Sequence, residues 1–191
     1  MGRNKAFDEK EVLKKAMELF WVQGYEKTSL QDLVDHMGIH RRSIYDTFGD
    51  KRSLFLMSLA YYEEILTQDM KKLMNVTVPI KQAIKEVFLF TLNAAEYYPK
   101  GCLAVNATVE LSLLDKEIAN ITTEMFKKTE RLFRYLVLKG QASGELSKEI
   151  DPDILSRFLH NNLLGLRVLI KTNYSKEELE SIVEVTLSVL D

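Results

Sequence analysis

The sequence predicts an all-α protein of about nine helices. Of its 191 residues only 8 are Gly and 3 are Pro, and strong helix formers occur almost throughout. Apolar residues recur at spacings of three and four, which is typical of amphipathic helices. Hydrophobic residues make up 46% of the chain, enough for one globular unit or two small ones with a real core.

The first helix is predicted to occupy the residues between Asp8 and Gly24. Asp8 and Glu11 have the spacing of a capping box, and Gly24 suits the turn that commonly ends a helix. Six apolar residues at helical spacing give this helix one buried face: Val12, Leu13, Ala16, Met17, Leu19 and Phe20.

Two short helices around a tight turn are predicted next, at about residues 29–48. The start of the first helix has two candidates, since Thr28 with Gln31 has the spacing of a capping box. Ser29 with Asp32 has the same spacing, and spacing alone does not choose between them. The helix has a single apolar stripe, formed by Leu30, Leu33, Val34 and Met37.

The turn and the second helix of the pair are predicted from Gly38 onward. Gly38 suits a left-handed C-cap, and Ile39 supplies the apolar contact that holds two helices at a steep angle. In the helix His40–Phe48, the i, i+4 pair of Ile44 and Phe48 faces the core. The other side chains are left free to face outward: His40, Arg41, Arg42, Ser43, Tyr45, Asp46 and Thr47.

An outward face rich in Arg, Ser, Thr and Tyr suits the DNA major groove. Arg can donate two parallel hydrogen bonds to guanine, while hydroxyl groups and Lys contact phosphate oxygens. An isolated pair such as Arg41 and Arg42 is more often a solvated patch, but the surrounding turn reverses that preference. The pattern therefore predicts a DNA-reading helix-turn-helix.

Longer motifs surround this helix pair. AMELFWVQGYEKTSLQDLV, residues 16–34, combines an amphipathic helix, a Gly-aromatic turn and a hydroxyl-capped second helix. Downstream, the chain fits the pattern SLYxxFxxKxxLF at Tyr45, Phe48, Lys51, Leu54 and Phe55. In these motifs the first third of the chain resembles the N-terminal domain of the TetR family of one-component transcriptional regulators. GCLAVNATVE, residues 101–110, resembles a stretch found in one group of these regulators.

The resemblance implies an N-terminal three-helix helix-turn-helix domain, residues 6–66, and a C-terminal helical domain for ligand binding and dimerisation, residues 67–191. Carried over by position, it makes Arg41, Arg42, Ser43 and His40 candidate contacts to bases or the groove. The candidate phosphate contacts, helped by the positive ends of helices 2 and 4, are Thr28, Ser29, Tyr45 and Lys51. A short basic arm formed by Arg3 and Lys5 could also reach phosphate or the minor groove.

Two positions depart from the family's pattern. Many relatives place a small hydroxyl residue at the position of His40, where it caps the recognition helix, and a small residue near Arg42. The family's base preferences therefore do not transfer. If His40 approaches a phosphate, its protonation would make DNA binding pH-sensitive; the alternative is a neutral imidazole facing solvent.

Six more helices complete the predicted nine. The fourth continues toward Met74 and is long enough to connect two domains. Pro79 opens the fifth, predicted for residues 80–98, and Pro99 stops it. The sixth lies in GCLAVNATVELSLL, which is apolar on nearly all sides and is therefore expected to be buried. The others are predicted after Asp115, from Pro152 to Lys171, and after Ser175, which has capping-box spacing with Glu178.

The last two helices carry a signal for assembly. Apolar residues surround Gly165, a small residue that lets another helix approach closely. In the resembling family this pair of helices forms a four-helix bundle with its twin, which implies a homodimer. The alternative is that both helices pack only on their own domain. The predicted interface comprises Phe158, Asn162, Gly165, Leu166, Leu169, Ile182, Val183, Thr186 and Leu190.

The resemblance also implies a pocket for a small apolar or aromatic effector in the C-terminal domain. The candidate lining residues are Tyr61, Tyr62, Phe88, Leu92, Asn106, Met125, Phe126 and Asn161. For each of them a place in the core is the plainer alternative, because Met and aromatic residues at helical spacing usually pack inward.

Together these features predict a cytoplasmic DNA-binding repressor of transcription. By the resemblance it would bind a pseudo-palindromic double-stranded operator as a homodimer and be released by a small effector. The net charge of −2 excludes a general polycation, so DNA affinity must come from local placement of charge. The single cysteine, Cys102, excludes a disulfide within the chain, and neither a signal peptide nor a membrane span is expected.

Two other classes of protein were weighed against this prediction. An enzyme is disfavoured because His36, His40 and His160 lie on different predicted helices and no catalytic motif occurs. No catalytic residue, metal site or cofactor is therefore expected. A helical protein-interaction module without DNA binding is the closer alternative, although the exposed Arg41 and Arg42 argue against it.

Overall fold

The computed structural model describes residues 7–74, 78–94 and 97–191, and nine α-helices make up most of that part of the chain. No helix in these ranges is long and apolar enough to cross a membrane. The all-α class is confirmed. In chain order the helices are α1 Glu9–Gln23, α2 Leu30–Met37, α3 Arg41–Phe48, α4 Lys51–Met74, α5 Ile80–Asn93, α6 Leu103–Leu111, α7 Lys116–Ser143, α8 Pro152–Leu169 and α9 Lys176–Leu187, followed by a short 3₁₀ helix, Ser188–Leu190.

One hydrophobic core joins α1, α2 and α3 to the first half of α4. At its centre Phe20 meets Phe55 edge to face, with 5.0 Å between the ring centres. Burying a side chain of this size contributes about 1.5–3 kcal/mol. Leu103 and Ala107 of α6 belong to the same core. The predicted N-terminal unit, residues 6–66, thus shares its core with a helix from beyond that boundary.

A second core lies among α5, α7, α8 and α9. Phe88 packs against Phe133 with 5.7 Å between the ring centres, and Leu159 and Leu163 are fully buried beside them. The 24 residues of α4 span roughly 36 Å at 1.5 Å per residue, so this helix connects the two cores.

The predicted turn chemistry of the helix pair is present. Ser29, not Thr28, caps α2: its Oγ accepts from the Asp32 N–H at 3.1 Å, and Asp32 Oδ2 accepts from the Ser29 N–H at 2.8 Å. These hydrogen bonds lower the pKa of Asp32. Gly38 is left-handed with a φ of 70°, as predicted for a C-cap.

Three predicted details of the later helices are wrong. α5 ends at Asn93 and not at the predicted Tyr98, and residues 95 and 96 of the predicted range lie outside the described residues. α8 ends at Leu169 rather than at Lys171. The segment that contains α6 is not buried on all sides, since only one face of the helix meets the core. Its exposed apolar residues, each more than four-fifths accessible, are Val109, Leu113 and Leu114.

Candidate nucleic-acid interface

α3 has one buried face and one exposed face. Ile44 is fully buried and Phe48 nearly so, which fixes the rotation of the helix against the first core. The predicted outward set follows from that rotation: His40, Arg41, Arg42, Tyr45 and Asp46 are exposed, and Ser43 and Thr47 are half-buried.

The two arginines of α3 are accessible to a partner. The Arg42 side chain is 91% exposed, and its Nε lies 3.5 Å from Asp46 Oδ2. An exposed i, i+4 pair contributes about 0.3–0.5 kcal/mol, so a base or phosphate could displace it. The Arg41 guanidinium lies 5.9 Å from the centre of the Tyr45 ring. Both positive charges therefore remain on the open side of the helix.

His40 stands just before α3 and is a poor cap, as the sequence predicted. Its backbone is extended and its carbonyl accepts from the N–H groups of Ser43 and Ile44, but its side chain makes no capping hydrogen bond in the described structure. The first amide groups of α3 consequently face solvent without a side-chain acceptor.

Thr28 cannot offer its hydroxyl to a phosphate, which corrects its prediction as a contact. The residue is fully buried, and Oγ1 donates to the Gly24 carbonyl at 2.6 Å. A buried hydroxyl needs a partner, and this one closes the turn between α1 and α2. Ser29 stays exposed beside it, with its Oγ engaged in the cap of α2.

Lys51 begins α4, and its ammonium lies 4.3 Å from the centre of the Tyr25 ring. Asp50 accepts a backbone hydrogen bond at 2.7 Å at the start of this helix, and hydrogen bonding lowers its pKa. A carboxylate thus already faces the expected positive end of α4, and Lys51 supplies a positive side-chain charge there. The predicted arm residues Arg3 and Lys5 lie outside the described residues.

Glu110 of α6 holds the turn that follows α1. Its Oε2 accepts from the Tyr25 N–H at 2.9 Å, and its Oε1 accepts from the Glu26 N–H at 2.8 Å. Gly24 allows this approach, because a Cβ there would lie 2.9 Å from Oε2 and its φ is 85°. The edge of the helix-turn-helix unit is therefore bound to a distant part of the chain.

Two further links join the helix-turn-helix unit to the C-terminal helices. Asn106 donates to the Trp21 carbonyl and accepts from the Lys171 ammonium, each at 3.1 Å. Asn106 is thus a bridge between α1 and the end of α8, and the space that it lines is a cleft of about 640 Å³ between α1, α6 and α8. Arg52 binds Asp115 through two contacts of 2.8 and 3.1 Å, a pairing that lowers the Asp115 pKa and raises that of Arg52.

A cavity of about 390 Å³ lies between α4, α7 and α8 and is called the large cavity below, to distinguish it from a space of about 30 Å³ that shares Leu66 and Arg167 with it. It is separate from the cleft of about 640 Å³ between α1, α6 and α8. The volume of the large cavity is within the range that holds small ligands, roughly 300–1,000 Å³. Met125 is the one predicted pocket residue among its described walls, which comprise Glu63, Leu66, Thr67, Met70, Lys71, Met125, Lys128, Thr129, Leu132 and Arg167. No cluster of three potential metal ligands occurs in the described residues.

The other predicted pocket residues lie elsewhere, because packing and hydrogen bonds take them up. The buried Tyr62 donates its hydroxyl to Cys102 Sγ at 3.2 Å and lines a smaller space of about 30 Å³. Phe88 belongs to the second core. The Tyr61 ring lies next to the Lys10 ammonium, and Leu92 is half-buried against the second core. Phe126 packs beside His160, and Asn161 is exposed on α8.

Arg167 is the buried charged residue of the cavity wall that the sequence did not predict. Its residue surface is only 6% exposed, and it lines the large cavity, the smaller space and the cleft of about 640 Å³. A lone Arg on an amphipathic helix normally indicates a solvated position. The spacing of Arg167 could have indicated its burial, because it follows the buried Leu163 by four residues on the inward face of α8.

A row of accessible positions runs along the outer side of α8. Its members are spaced by four, three, four and three residues: Ile154, Phe158, Asn161, Gly165 and Val168. A Cβ built on Gly165 would meet nothing within 4 Å. On α9 the exposed Val185 lies between the half-buried Ile182 and Val189. We name these eight positions the outer stripe.

The outer stripe overlaps only part of the predicted interface. Phe158 and Gly165 are exposed, and Asn162, Leu169 and Ile182 are half-buried. Ile154, Val168 and Val185 belong to the outer stripe but not to the predicted interface. Four predicted contacts are corrected, because the second core buries them within their own chain: Leu166, Val183, Thr186 and Leu190.

Two family models match this chain. The one described as "Bacterial regulatory proteins, tetR family" matches residues 12–57, and the one described as "Tetracyclin repressor-like, C-terminal domain" matches residues 81–185. Together they cover more than half of the residues.

Individual relatives match over nearly the whole length. The uncharacterized HTH-type transcriptional regulator YezE of Bacillus subtilis (strain 168) is 38% identical, with 100% of both chains covered. The HTH-type transcriptional repressor ComR of Escherichia coli (strain K12) is 31% identical, covering 97% of this chain and 90% of its own. Among solved structures, a cysteine mutant of the regulator CifR complexed with 26 bp operator DNA is 30% identical, with a TM-score of 0.90 and 100% of both chains covered.

Proposed function

The chain belongs to the TetR family of DNA-binding transcriptional regulators, and we propose that it is a cytoplasmic repressor that binds a pseudo-palindromic operator as a homodimer. The family consists of regulators and not of enzymes. The observation that carries the proposal is the exposed face of α3, where Arg41, Arg42 and Tyr45 stand on a helix whose opposite side is locked into the core.

The N-terminal half of α3 enters the major groove in this proposal. Arg41 and Arg42 donate to guanine or to other acceptors at the base edges, with Ser43 beside them. Phosphate contacts come from Tyr45 and Lys51, joined by backbone amide groups at the uncapped start of α3. Asp46 on the same face would repel a phosphate placed next to it. It therefore disfavours complexes in which α3 is shifted along the groove.

The outer stripe supports the homodimer. An exposed row with coiled-coil-like spacing and an open Gly165 at its centre suits close packing against the same row of a second copy. A two-fold axis through this contact would relate two copies of α3, which would then read half-sites about one helical turn apart, roughly 34–36 Å.

The large cavity supports release by an effector. Its walls include Glu63, Leu66 and Met70 in the C-terminal half of α4, while the N-terminal half of the same helix packs in the core that holds α3. A ligand that prefers one position of α4 would therefore shift the spacing of the two recognition helices. A differential affinity of a few kcal/mol is sufficient for such a switch.

Selection of bound fragments from random duplexes tests the proposal. The expected product is a pseudo-palindrome with two half-sites about one helical turn apart, bound by two protomers, with affinity that falls steeply as salt rises. Recovery of no enriched sequence, together with salt-independent or absent binding, would contradict DNA reading and indicate a protein-interaction module instead.

A further inference from the structure

Arg167 is a buried cation on the inward side of α8. Its neighbours on the same helix, Leu163, Leu166 and Ile170, are core residues, and Arg167 itself is 6% exposed. Arg is almost never buried to this extent unless it is paired, because removing a charge from water costs several kcal/mol.

The guanidinium of Arg167 has no partner within the part of the chain that the structure describes. No carboxylate of those residues comes within 4 Å of it, and its side chain makes none of their hydrogen bonds. The other charges on the cavity wall do not supply a counter-charge, since Glu63 is paired with Lys128 and Lys71 adds a further positive charge. The described wall thus carries three cations and one anion.

Two titratable groups near Arg167, Tyr62 and His160, are neutral. Burial raises the pKa of Tyr62 well above its usual value, so its phenol stays protonated. Burial, followed by the charge of Arg167, lowers the pKa of His160, so its imidazole stays uncharged near neutral pH. Neither group can compensate the guanidinium.

A second unused donor lies beside Arg167. The indole Nε1 of Trp21 is buried without a hydrogen-bond partner among the described residues, and Trp21 and Arg167 both line the smaller space that adjoins the large cavity. Buried donors of this kind are normally satisfied, so this one, next to an unpaired guanidinium, indicates a missing acceptor.

Resting on the proposed function, we propose that the effector is a small amphipathic carboxylic acid whose carboxylate pairs with Arg167. Its hydrocarbon body lies in the large cavity against Leu66, Met70, Met125 and Leu132. A carboxylate matches the planar fork of a guanidinium through two parallel hydrogen bonds. A single unpaired buried cation favours a ligand with one negative charge, because a phosphate dianion would need a second cation beside Arg167.

Calorimetric titration of the full-length protein without DNA tests the ligand class. The probes are octanoate and phenylacetate, each compared with its neutral amide at millimolar concentration. We expect at least one acid to bind roughly tenfold more tightly than its amide. Equal affinity of acid and amide, or binding of neither acid, would overturn the proposal.

Variants of Arg167 test the assigned residue. Arg167→Met should abolish the preference for acid over amide, while Lys139→Met, which removes an exposed charge of α7 outside the cavity, should retain it. The folding of Arg167→Met should be at least as stable as that of the wild type, because the lost charge has no internal partner. A preference that survives in Arg167→Met, or a strong loss of its stability, would contradict the assignment.

These results separate the inference from the proposed function. Binding of the acids is measured without operator, so failure there leaves DNA reading intact. Failure of the ligand-free protein to bind any operator would count against the proposed function alone.

Discussion

The carboxylate of Glu110 accepts a hydrogen bond from the backbone N–H of Tyr25 at 2.9 Å, across the contact between α6 and the turn that follows α1. A second bond, to the N–H of Glu26, uses the other oxygen. The carboxylate of Glu110 therefore holds the turn of the helix-turn-helix unit against α6, in addition to the continuous helix α4 and the links at Asn106 and Arg52.

Replacing Glu110 should weaken this connection. Glu110→Ala leaves two backbone donors without their charged acceptor, and we expect the free energy of unfolding to fall by roughly 1–3 kcal/mol. Denaturation in urea measures this loss. Glu149→Ala is a matched control, because it removes an exposed carboxylate elsewhere and should change stability little. Equal stability of the two variants would show that the Glu110 bonds contribute nothing.

Thr28 is expected to affect folding but not DNA contact. Thr28→Val keeps the shape of the buried side chain and removes the hydroxyl that donates to the Gly24 carbonyl. Stability should fall by about 0.5–1.5 kcal/mol, with operator affinity unchanged under conditions where the protein stays folded. A selective loss of affinity in anisotropy titrations would restore Thr28 as a phosphate contact.

The outer stripe should control the oligomeric state. Phe158→Glu places a charge on a side chain that is 43% exposed in one chain, so folding should survive while dimerisation fails. Sedimentation velocity measures the change, with Tyr135→Glu on α7 as the control. A variant that still sediments as a tight dimer would refute the interface. Truncation from Ser175 is a poorer test, because it would also remove the core residues Leu179, Val183 and Leu187.

His160 should make stability depend on pH. Burial lowers its pKa in the folded protein below 6.5, with a further lowering by Arg167 that Glu130 opposes. The unfolded chain therefore takes up a proton at higher pH than the folded one, so stability is full above about pH 6.5 and falls below it. His160→Leu should remove this part of the decrease. Urea denaturation across the acidic range checks it, and an identical pH profile for wild type and variant would contradict it.

Sequence reasoning succeeded where the determinants are local. The left-handed Gly38 and the burial of Ile44 and Phe48 follow from residues within one or two helical turns, whereas the cap of α2 was left open between Thr28 and Ser29. The outward face of α3 follows from the same local pattern. These features position the candidate DNA contacts, so that part of the site could be predicted.

The missed features depend on contacts between distant parts of the chain. Glu110 and Arg167 look like ordinary surface residues of amphipathic helices, and only the fold places one against Tyr25 and the other beside a cavity. The predicted interface failed at Leu166 and Val183 for a related reason. Periodicity shows that a helix has an apolar face, but it does not show which neighbour covers that face.

Operator affinity of the Arg41→Ala/Arg42→Ala double variant tests the central claim most directly. The matched control, Lys139→Ala/Lys148→Ala, removes two exposed positive charges outside α3. Fluorescence anisotropy compares the selected operator with a scrambled duplex at fixed salt. We predict that the arginine variant loses at least roughly thirtyfold of the preference for the operator and that the lysine variant retains it. A preserved preference in the arginine variant would contradict the assignment of α3 as the reading helix.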